Sequence, residues 1–288
     1  MKEIEIAFIG GSGLYKIPNF KNPKWVNISS DFGKVSSKIC VGSLNGKNIA
    51  FLPRHGVDHN ISPSKINYRA NIDALKKIKT QNIVSISAVG SLREDYKPGD
   101  FVLVDQFIDK TFKRETSFFD DDCVAHVPMA TPICNDLKKL SSNILKKLKL
   151  KFHLGGIYIC IEGPQFSTLA ESNLYRSWGC DVIGMTNMPE SKLAKEAGIC
   201  YASLSMVTDY DCWHKDHDSV TVDQIVKVMK KNSENALKFI NEICKSKYIS
   251  CSEKIKNLSE NSIITDKSKI KKSTKKRLTS ILKINASR

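Results

Sequence analysis

Six short clusters of glycine, polar and charged residues follow apolar runs of the sequence and carry the side chains that could do chemistry. They are GGSG (10–13), PRHG (53–56), SAVGS (87–91), EGPQFS (162–167), GMTNMPE (184–190) and TDYD (208–211). Backbone N–H groups of a glycine-rich turn can converge on an anion, and the Arg54 guanidinium is a natural bidentate partner for phosphate. The first two clusters therefore predict an anion site, with a tight turn and a surface ion pair as the alternatives.

Three of the other clusters could bind an organic ligand. The small residues 87–91 would let a backbone approach a ligand, although close packing explains them equally. Phe166 could stack on a base, or it could be a core ring beside a proline turn. Asp209 and Asp211 could meet a purine edge, with one of them donating a proton to ring N7 as a general acid and the other near the exocyclic amine. That role needs a raised pKa, which burial supplies; a helix N-cap or a solvated acidic loop is the alternative.

Alternating strand-like and helix-like segments must position these clusters. Asn45-Gly46 between two apolar runs predicts a hairpin. Helices are predicted over residues 64–79 (with Ser64 as N-cap), 136–150, 168–178, 189–198 and 221–244. The alternation from 1 to 244 predicts the α/β class with a largely internal sheet. Because ligands of α/β proteins bind at strand ends, the clusters are candidates for one shared site.

Composition narrows the class of protein. The chain has 288 residues, of which 41% are hydrophobic and 26% charged, as in a globular protein. It has no apolar run of about 18 residues for a membrane span, and its start lacks the features of a secretory signal. Nine cysteines are scattered without CxxC spacing, which disfavours a zinc site and a disulfide framework. We therefore expect a cytoplasmic protein without a metal.

The net charge of +15 is concentrated at the C-terminus. Residues 245–288 hold 13 Lys and Arg against 3 Asp and Glu, so we divide the chain into a domain at 1–244 and a basic tail at 245–288. Such a tail attracts polyanions weakly. It has no aromatic residue beyond Tyr248 and no nucleic-acid-binding signature, so no specific nucleic-acid partner is expected. Residues 267–284 could form a surface helix.

Ten motifs in order give the chain a family resemblance: GGSG, PRHG, PSKINYRANI, SAVGSLRE, PGDFVLVDQFID, HVPMA, IEGPQFS, MTNMPE, AKEAGICYAS and TDYDCW. Over residues 4–244 this run resembles the trimeric purine nucleoside phosphorylases, in particular their methylthioadenosine phosphorylase branch. The resemblance implies a phosphorylase/hydrolase-like single domain with a central mixed β-sheet flanked by helices. It also implies a homotrimer that uses phosphate to convert S-methyl-5′-thioadenosine to adenine and 5-methylthioribose 1-phosphate, without an organic cofactor.

The resemblance assigns roles to individual residues. Phosphate would be held by Gly11, Ser12, Arg54, His55, Ser87, Ala88 and Thr186. Met185 would lie against the ribose, Phe166 and Ser167 would border the base, and Asp209 and Asp211 would follow its N7 and 6-amino edge, with Asp209 the catalytic acid. The 5′-alkylthio pocket would be formed by Val222, Ile225 and Val226, with His126 reaching in from a neighbouring subunit.

The base edge decides between related activities. Ionised carboxylates are acceptors, which suits the 6-amino group of adenine. The alternatives are a phosphorylase of 6-oxopurine nucleosides such as methylthioinosine or inosine, a hydrolytic nucleosidase, and a nucleic-acid binder that acts through the tail. The sequence departs from some relatives at Gly184, where they carry Asn, and at Asn187, where they carry Thr. Residues 262–284 could serve as a lid over the 5′ pocket.

Overall fold

Strands and helices alternate along the computed structural model, which describes residues 2–11, 14, 17–120, 122–214, 222–246 and 253–282, without the side chains of 222–225 and 253–254. The strands in these residues are β1 (Ile6–Gly10), β2 (Lys21–Val26), β3 (Ile39–Leu44), β4 (Lys47–Pro53), β5 (Asn82–Ser91), β6 (Phe101–Leu103), β7 (Gln106–Lys110), β8 (Phe152–Leu154), β9 (Ile157–Ile161), β10 (Val182–Gly184) and β11 (Cys200–Asp209). The helices are α1 (Tyr68–Lys77), α2 (Asn135–Lys147), α3 (Leu169–Ser177), α4 (Asn187–Glu196), α5 (Val222–Ile243), α6 (Glu253–Lys256) and α7 (Lys272–Arg277).

The strands form one mixed sheet that branches at β5. The main path runs β2-β3-β4-β1-β5-β10-β9-β7, while β11 pairs with β5 and continues to β6 and β8. β5 is parallel to β1 and β11 and antiparallel to β10, so its last residues lie between two strand ends. The predicted α/β class with a central mixed sheet flanked by helices is confirmed.

Helices cover both faces of the sheet because its central strands are apolar on both sides. In β1, Ile6 and Phe8 pack with α2 and α5, whereas Ala7 and Ile9 pack with α1 and α4. This alternation follows from the two-residue period of a strand. In the described part of the chain, none of the helices has the length and apolar character needed to cross a bilayer.

Local sequence signals predicted most of the strands and helices. Asn45 and Gly46 have φ angles of 51° and 82° and join β3 to β4, which confirms the hairpin. The helix predicted from residue 64 begins four residues later, at Tyr68. Its N-cap is Asn67, whose side chain accepts from the Ala70 N–H, so the prediction of Ser64 was wrong. The Ser64 hydroxyl instead donates to the Glu162 carbonyl, 3.2 Å away.

The described part of the basic C-terminal segment packs on the body of the domain. Apolar side chains of this segment are buried in the same cluster as α1, namely Ile270, Leu278, Ile281 and Leu282. Arg277 Nη2 donates to Asp120 at 2.7 Å, and the Thr274 hydroxyl donates to Asp122 at 2.5 Å. Residues 270–282 therefore lie against α1 and the loop around 120, and none of them lines the cavity described below.

Glu196 joins three segments at the end of α4. Its carboxylate accepts from Phe118 N–H at 2.7 Å and from the Ser117 hydroxyl at 2.8 Å, and its carbonyl accepts from the Ser259 hydroxyl. Burial raises the pKa of Glu196 from its ordinary value of 4.5 to about 7. The folded state therefore retains this proton in a pH range where the unfolded chain has lost it.

We expect Glu196→Gln to remove one component of the pH dependence of stability. Because the folded pKa is raised, the stabilisation is complete below pH 4.5 and is lost as the pH rises through about 7. The unfolding free energy of the wild type, relative to that of the variant, should thus fall by about 3 kcal/mol across this range. Urea denaturation of both proteins at several pH values measures this difference, and a difference independent of pH would contradict the assignment.

Glu171→Gln is a control, because the stabilisation from Glu171 should change with pH in the opposite direction. Hydrogen bonds from the Thr168 backbone and hydroxyl lower the pKa of Glu171. The stabilisation from this group is therefore present above its ordinary pKa and is lost as the pH falls. The wild-type advantage over this variant should grow with rising pH, in contrast to that over Glu196→Gln.

Candidate active site

A cavity of about 280 Å³ lies where the sheet branches, at the carboxyl ends of several strands. All six clusters identified in the sequence contribute to it, as the location of ligand sites in α/β proteins predicts. Its lining residues are Gly11, Leu14, Arg54, His55, His59, Pro63, Ile86, Ser87, Ala88, Val89, Gly90, Ile161, Phe166, Ser167, Ile183, Gly184, Met185, Thr186, Met206, Thr208, Asp209, Asp211 and Met229.

Arg54 follows β4 at one end of the cavity, and its side chain is only 1% exposed. Nε donates to Glu190 Oε2 at 2.8 Å, and Nη2 donates to Glu190 Oε1 at 3.1 Å and to Ser85 Oγ at 2.6 Å. Nη1 donates to the Ile86 carbonyl at 3.3 Å, which leaves one of its two protons without an acceptor among the described residues. Glu190 thus occupies the Nε–Nη2 edge of the guanidinium, so that a phosphate could reach Arg54 only through Nη1.

His55 brings no charge to the same end of the cavity. Burial and the neighbouring Arg54 charge lower the pKa of His55 to about 4, so the ring is neutral at pH 7. Nδ1 lies 2.9 Å from the Ile61 carbonyl, which can only accept, so Nδ1 carries the proton and Nε2 is an acceptor. The ring stacks on His59 with centroids 4.5 Å apart.

Two buried hydroxyls near Arg54 lack hydrogen-bond partners within the described residues. They are Ser87 Oγ, near the end of β5, and Thr186 Oγ1, just before α4. An unsatisfied buried hydroxyl is costly, and a polar ligand would relieve that cost. Of the predicted phosphate residues, Gly11, Arg54, His55, Ser87, Ala88 and Thr186 line this cavity, while Ser12 lies outside the described residues. Their role in phosphate binding remains a prediction.

Asp209 ends β11 on the other side of the cavity. Burial raises its pKa above the ordinary range. Its Oδ1 accepts from the Asp211 N–H at 2.8 Å, and its Oδ2 lies 2.7 Å from Thr208 Oγ1. That hydroxyl also lies 3.2 Å from the Val89 carbonyl and has a single proton to donate. Thr208 therefore donates its proton either to the Asp209 carboxylate or to the Val89 carbonyl, and a proton on Asp209 would leave the Thr208 hydroxyl free to donate to Val89.

Further polar atoms beside Asp209 lack a hydrogen-bond partner among the described residues. Burial raises the pKa of Asp211, and the nearby Asp209 charge adds to the shift. Asp211 Oδ2 and Ser167 Oγ have no hydrogen-bond partner in the described part of the structure. Phe166 lines the cavity but is 58% exposed, so the cavity is open to solvent on that side. Together these groups could bind and protonate a heteroaromatic ring.

The predicted 5′ pocket is only partly described. The side chains of Val222 and Ile225 lie outside the described residues, while Val226 is 56% exposed and does not line the cavity. His126 is exposed and lies outside the cavity of a single chain. The sequence interpretation missed Met229, which continues the 222–226 stripe by one helical turn and lines the cavity. Helical periodicity alone could have identified it.

Comparisons with known proteins identify the family of the chain. A model of the phosphorylase superfamily matches residues 5–245. The chain belongs to this superfamily. An S-methyl-5′-thioadenosine phosphorylase of Rhodospirillum rubrum is 55% identical over 80% of this chain and 79% of its own length. One of Koribacter versatilis is 46% identical over 97% of this chain and 96% of its own length.

Solved structures of the superfamily share the fold. A methylthioadenosine phosphorylase from an antarctic soil metagenomic library has a TM-score of 0.92 and 42% identity, over 98% of this chain and all of its own. The Schistosoma mansoni methylthioadenosine phosphorylase, solved with adenine, has a TM-score of 0.84 and 33% identity, over 90% of this chain and 99% of its own.

This member of the superfamily fills the space behind Gly184 with a phenol. A Cβ atom placed on Gly184 would lie 2.0 Å from the Tyr158 hydroxyl oxygen. Tyr158 is fully buried, and its hydroxyl lies 3.5 Å from the Thr186 N–H. Glycine at 184 thus leaves room for the tyrosine on the neighbouring strand β9.

Proposed function

We propose that the chain cleaves S-methyl-5′-thioadenosine with inorganic phosphate, giving adenine and 5-methylthioribose 1-phosphate. One observation carries the proposal: the cavity has Arg54 and two unsatisfied hydroxyls at one end and two buried carboxyls at the other. The first end suits an oxyanion, and the second suits a purine with nitrogen acceptors and an amino group. Relatives of 46% and 55% identity that carry this activity in their names support the assignment.

The reaction follows from these positions. As the C1′–N9 bond breaks, positive charge develops on the sugar, and a phosphate dianion next to C1′ stabilises that charge. A phosphate oxygen then forms the new bond to C1′, while Asp209 gives its proton to N7 so that adenine leaves as a neutral base. Phosphate supplies the nucleophile and Asp209 supplies the proton, so the proposed reaction needs neither a metal nor an organic cofactor.

The phosphate end of the cavity offers hydrogen-bond donors but no net positive charge in this proposal. Glu190 balances the charge of Arg54, and His55 is neutral. The hydroxyls of Ser87 and Thr186 and the remaining Nη1 proton of Arg54 then provide the hydrogen bonds. At the base end, Asp211 accepts from the 6-amino group, which favours adenine over a 6-oxopurine.

The proposal extends to a cytoplasmic homotrimer. Apolar side chains are exposed on the open side of the cavity, with Phe112 74%, Phe166 58% and Leu169 56% exposed. Exposed apolar groups that lie together favour contact with another protein. A neighbouring subunit seated there would bring its own His126 towards the substrate, as the resemblance implies. The cysteines in the described part of the chain are all free thiols, which suits a reducing compartment.

Adenine release from S-methyl-5′-thioadenosine, measured with and without inorganic phosphate, tests the function. We expect release that depends on phosphate, with formation of 5-methylthioribose 1-phosphate in equal amount. Methylthioinosine assayed in parallel should be the poorer substrate. Release without phosphate would identify a hydrolase, and a preference for methylthioinosine would contradict the role given to Asp211.

A further inference from the structure

Arg114 makes a dense set of hydrogen bonds behind the cavity without lining it. The residue lies in the loop between β7 and α2, and its side chain is 1% exposed. Nη1 lies 2.7 Å from the Met185 carbonyl, 2.6 Å from the Met188 carbonyl and 3.0 Å from the Tyr68 hydroxyl. Nε donates to Glu162 Oε1 at 3.1 Å, and Nη2 donates to the Glu162 carbonyl at 2.8 Å.

Apart from the Tyr68 hydroxyl, these acceptors belong to two segments of the cavity wall, which follow the neighbouring strands β9 and β10. The carbonyls of Met185 and Met188 flank Thr186, whose hydroxyl is unsatisfied and faces the phosphate end. Glu162 directly follows β9, four residues before Phe166 at the base end. One guanidinium therefore bonds both segments, and its planar fork fixes their relative position more tightly than a flexible ammonium could.

The loop that carries Arg114 is held in turn by Glu162. Glu162 Oε2 accepts from the N–H groups of Phe112 at 2.7 Å and Lys113 at 3.0 Å. Although burial opposes ionisation, these bonds and those from Ser64 and Arg114 lower the pKa of Glu162 to about 2. The Glu162 carboxylate is therefore charged at neutral pH. The loop at 112–114, the Arg114–Glu162 ion pair and the cavity wall are thus joined in one hydrogen-bond network.

We propose that Arg114 is a positioning residue for phosphorolysis, which holds Met185 and Thr186 in register with the base-binding segment around Phe166. The inference rests on the proposed function, and it assigns Arg114 no contact with substrate. A displacement of reacting groups by about 1 Å can lower a rate on the order of 100-fold. The role therefore predicts a kinetic defect that exceeds any loss of folded protein.

Arg114→Lys tests this role, since it keeps the charge but cannot bind all these acceptors. We expect kcat per folded active site to fall roughly 10- to 100-fold, with a raised KM for phosphate because the Thr186 hydroxyl is no longer fixed. Active sites are counted by calorimetric titration with adenine. Guanidinium ion added to Arg114→Ala should restore part of the lost rate, which a general loss of stability would not permit.

Arg69→Lys is the matched control. Arg69 binds the same loop through the Ser117 carbonyl and Asp120, but among the described residues it bonds no carbonyl of the cavity wall. Its kcat and KM should stay within about twofold of the wild type. The proposal is overturned if Arg114→Lys lowers only the melting temperature and keeps kcat and KM for phosphate.

Adenine release by the wild type, assayed in parallel, tests the proposed function separately from the role of Arg114. A wild type that releases no adenine in the presence of phosphate would refute the function itself. In that case, calorimetric binding of inorganic phosphate and adenine still tests Arg114. Arg114→Lys should weaken phosphate binding at least 10-fold, and unchanged binding of both would overturn the positioning role.

Discussion

Asp209→Asn should lower kcat for adenine release by about 10²- to 10⁴-fold, the usual contribution of a positioned general acid. The side chain is nearly isosteric, so the variant retains the shape of the cavity but has no acidic proton for N7. Burial raises the pKa of Asp209, and only its protonated form is competent. The wild-type rate should therefore fall as the pH rises through that raised pKa, whereas the residual rate of the variant should lack this dependence. Steady-state adenine release across a pH series measures both effects.

Asp211→Asn is the control that distinguishes loss of the general acid in Asp209→Asn from a general disturbance of the base site. This variant keeps Asp209, and an asparagine amide can donate to a 6-oxo group. We expect a shift of preference towards methylthioinosine, with the pH dependence from Asp209 retained. If Asp209→Asn kept a rate within about threefold of the wild type, the acid would have to be another group.

Glu190→Gln should lower the free energy of unfolding by about 3–5 kcal/mol, because it removes the carboxylate of a buried ion pair. The side chains of Arg54 and Glu190 are 1% and 2% exposed, so solvent does not compensate the charge that remains. Tyr201 would also lose charge on the oxygen to which it donates at 2.9 Å. Guanidinium chloride denaturation at pH 7 measures the change.

Phosphate should partly reverse this loss. In Glu190→Gln the uncompensated Arg54 charge lies at the cavity, so added phosphate should raise the melting temperature of the variant more than that of the wild type. The double variant Arg54→Met/Glu190→Leu should regain much of the stability while losing phosphorolysis, since apolar side chains replace the pair. A loss below about 1 kcal/mol in the single variant would show that the pair contributes little.

Local signals predicted the fold well where the responsible residues are neighbours in sequence. Asn45-Gly46 specifies its hairpin through the backbone angles that these two residues tolerate. The start of α1 was misplaced because Ser64 and Asn67 are both good N-caps. Ser64 instead meets Glu162, a partner 98 residues away. The branching of the sheet at β5 likewise depends on pairings that no local pattern contains.

The same limit applies to the site. The six clusters were found because each carries its chemistry within a few residues. The partner of Arg54 was not found, because Glu190 lies 136 positions further along the chain. Arg114 was missed for the same reason, since its acceptors are 46 to 74 positions away and its own surroundings contain no motif. Residues such as Glu190 and Arg114, which position the lining residues without a local motif of their own, can be identified only from the tertiary fold.

The contact between Tyr158 and Gly184 constrains the order in which this cavity wall could have diverged. Any side chain at 184 collides with the phenol, so such a change is viable only in a background that has already lost the tyrosine. Loss of the tyrosine first leaves a void in the packed wall, at a cost of roughly 3–5 kcal/mol if the ring is truncated to alanine. The two positions are therefore coupled, because the side chain at 158 determines which residues the position at 184 can accommodate.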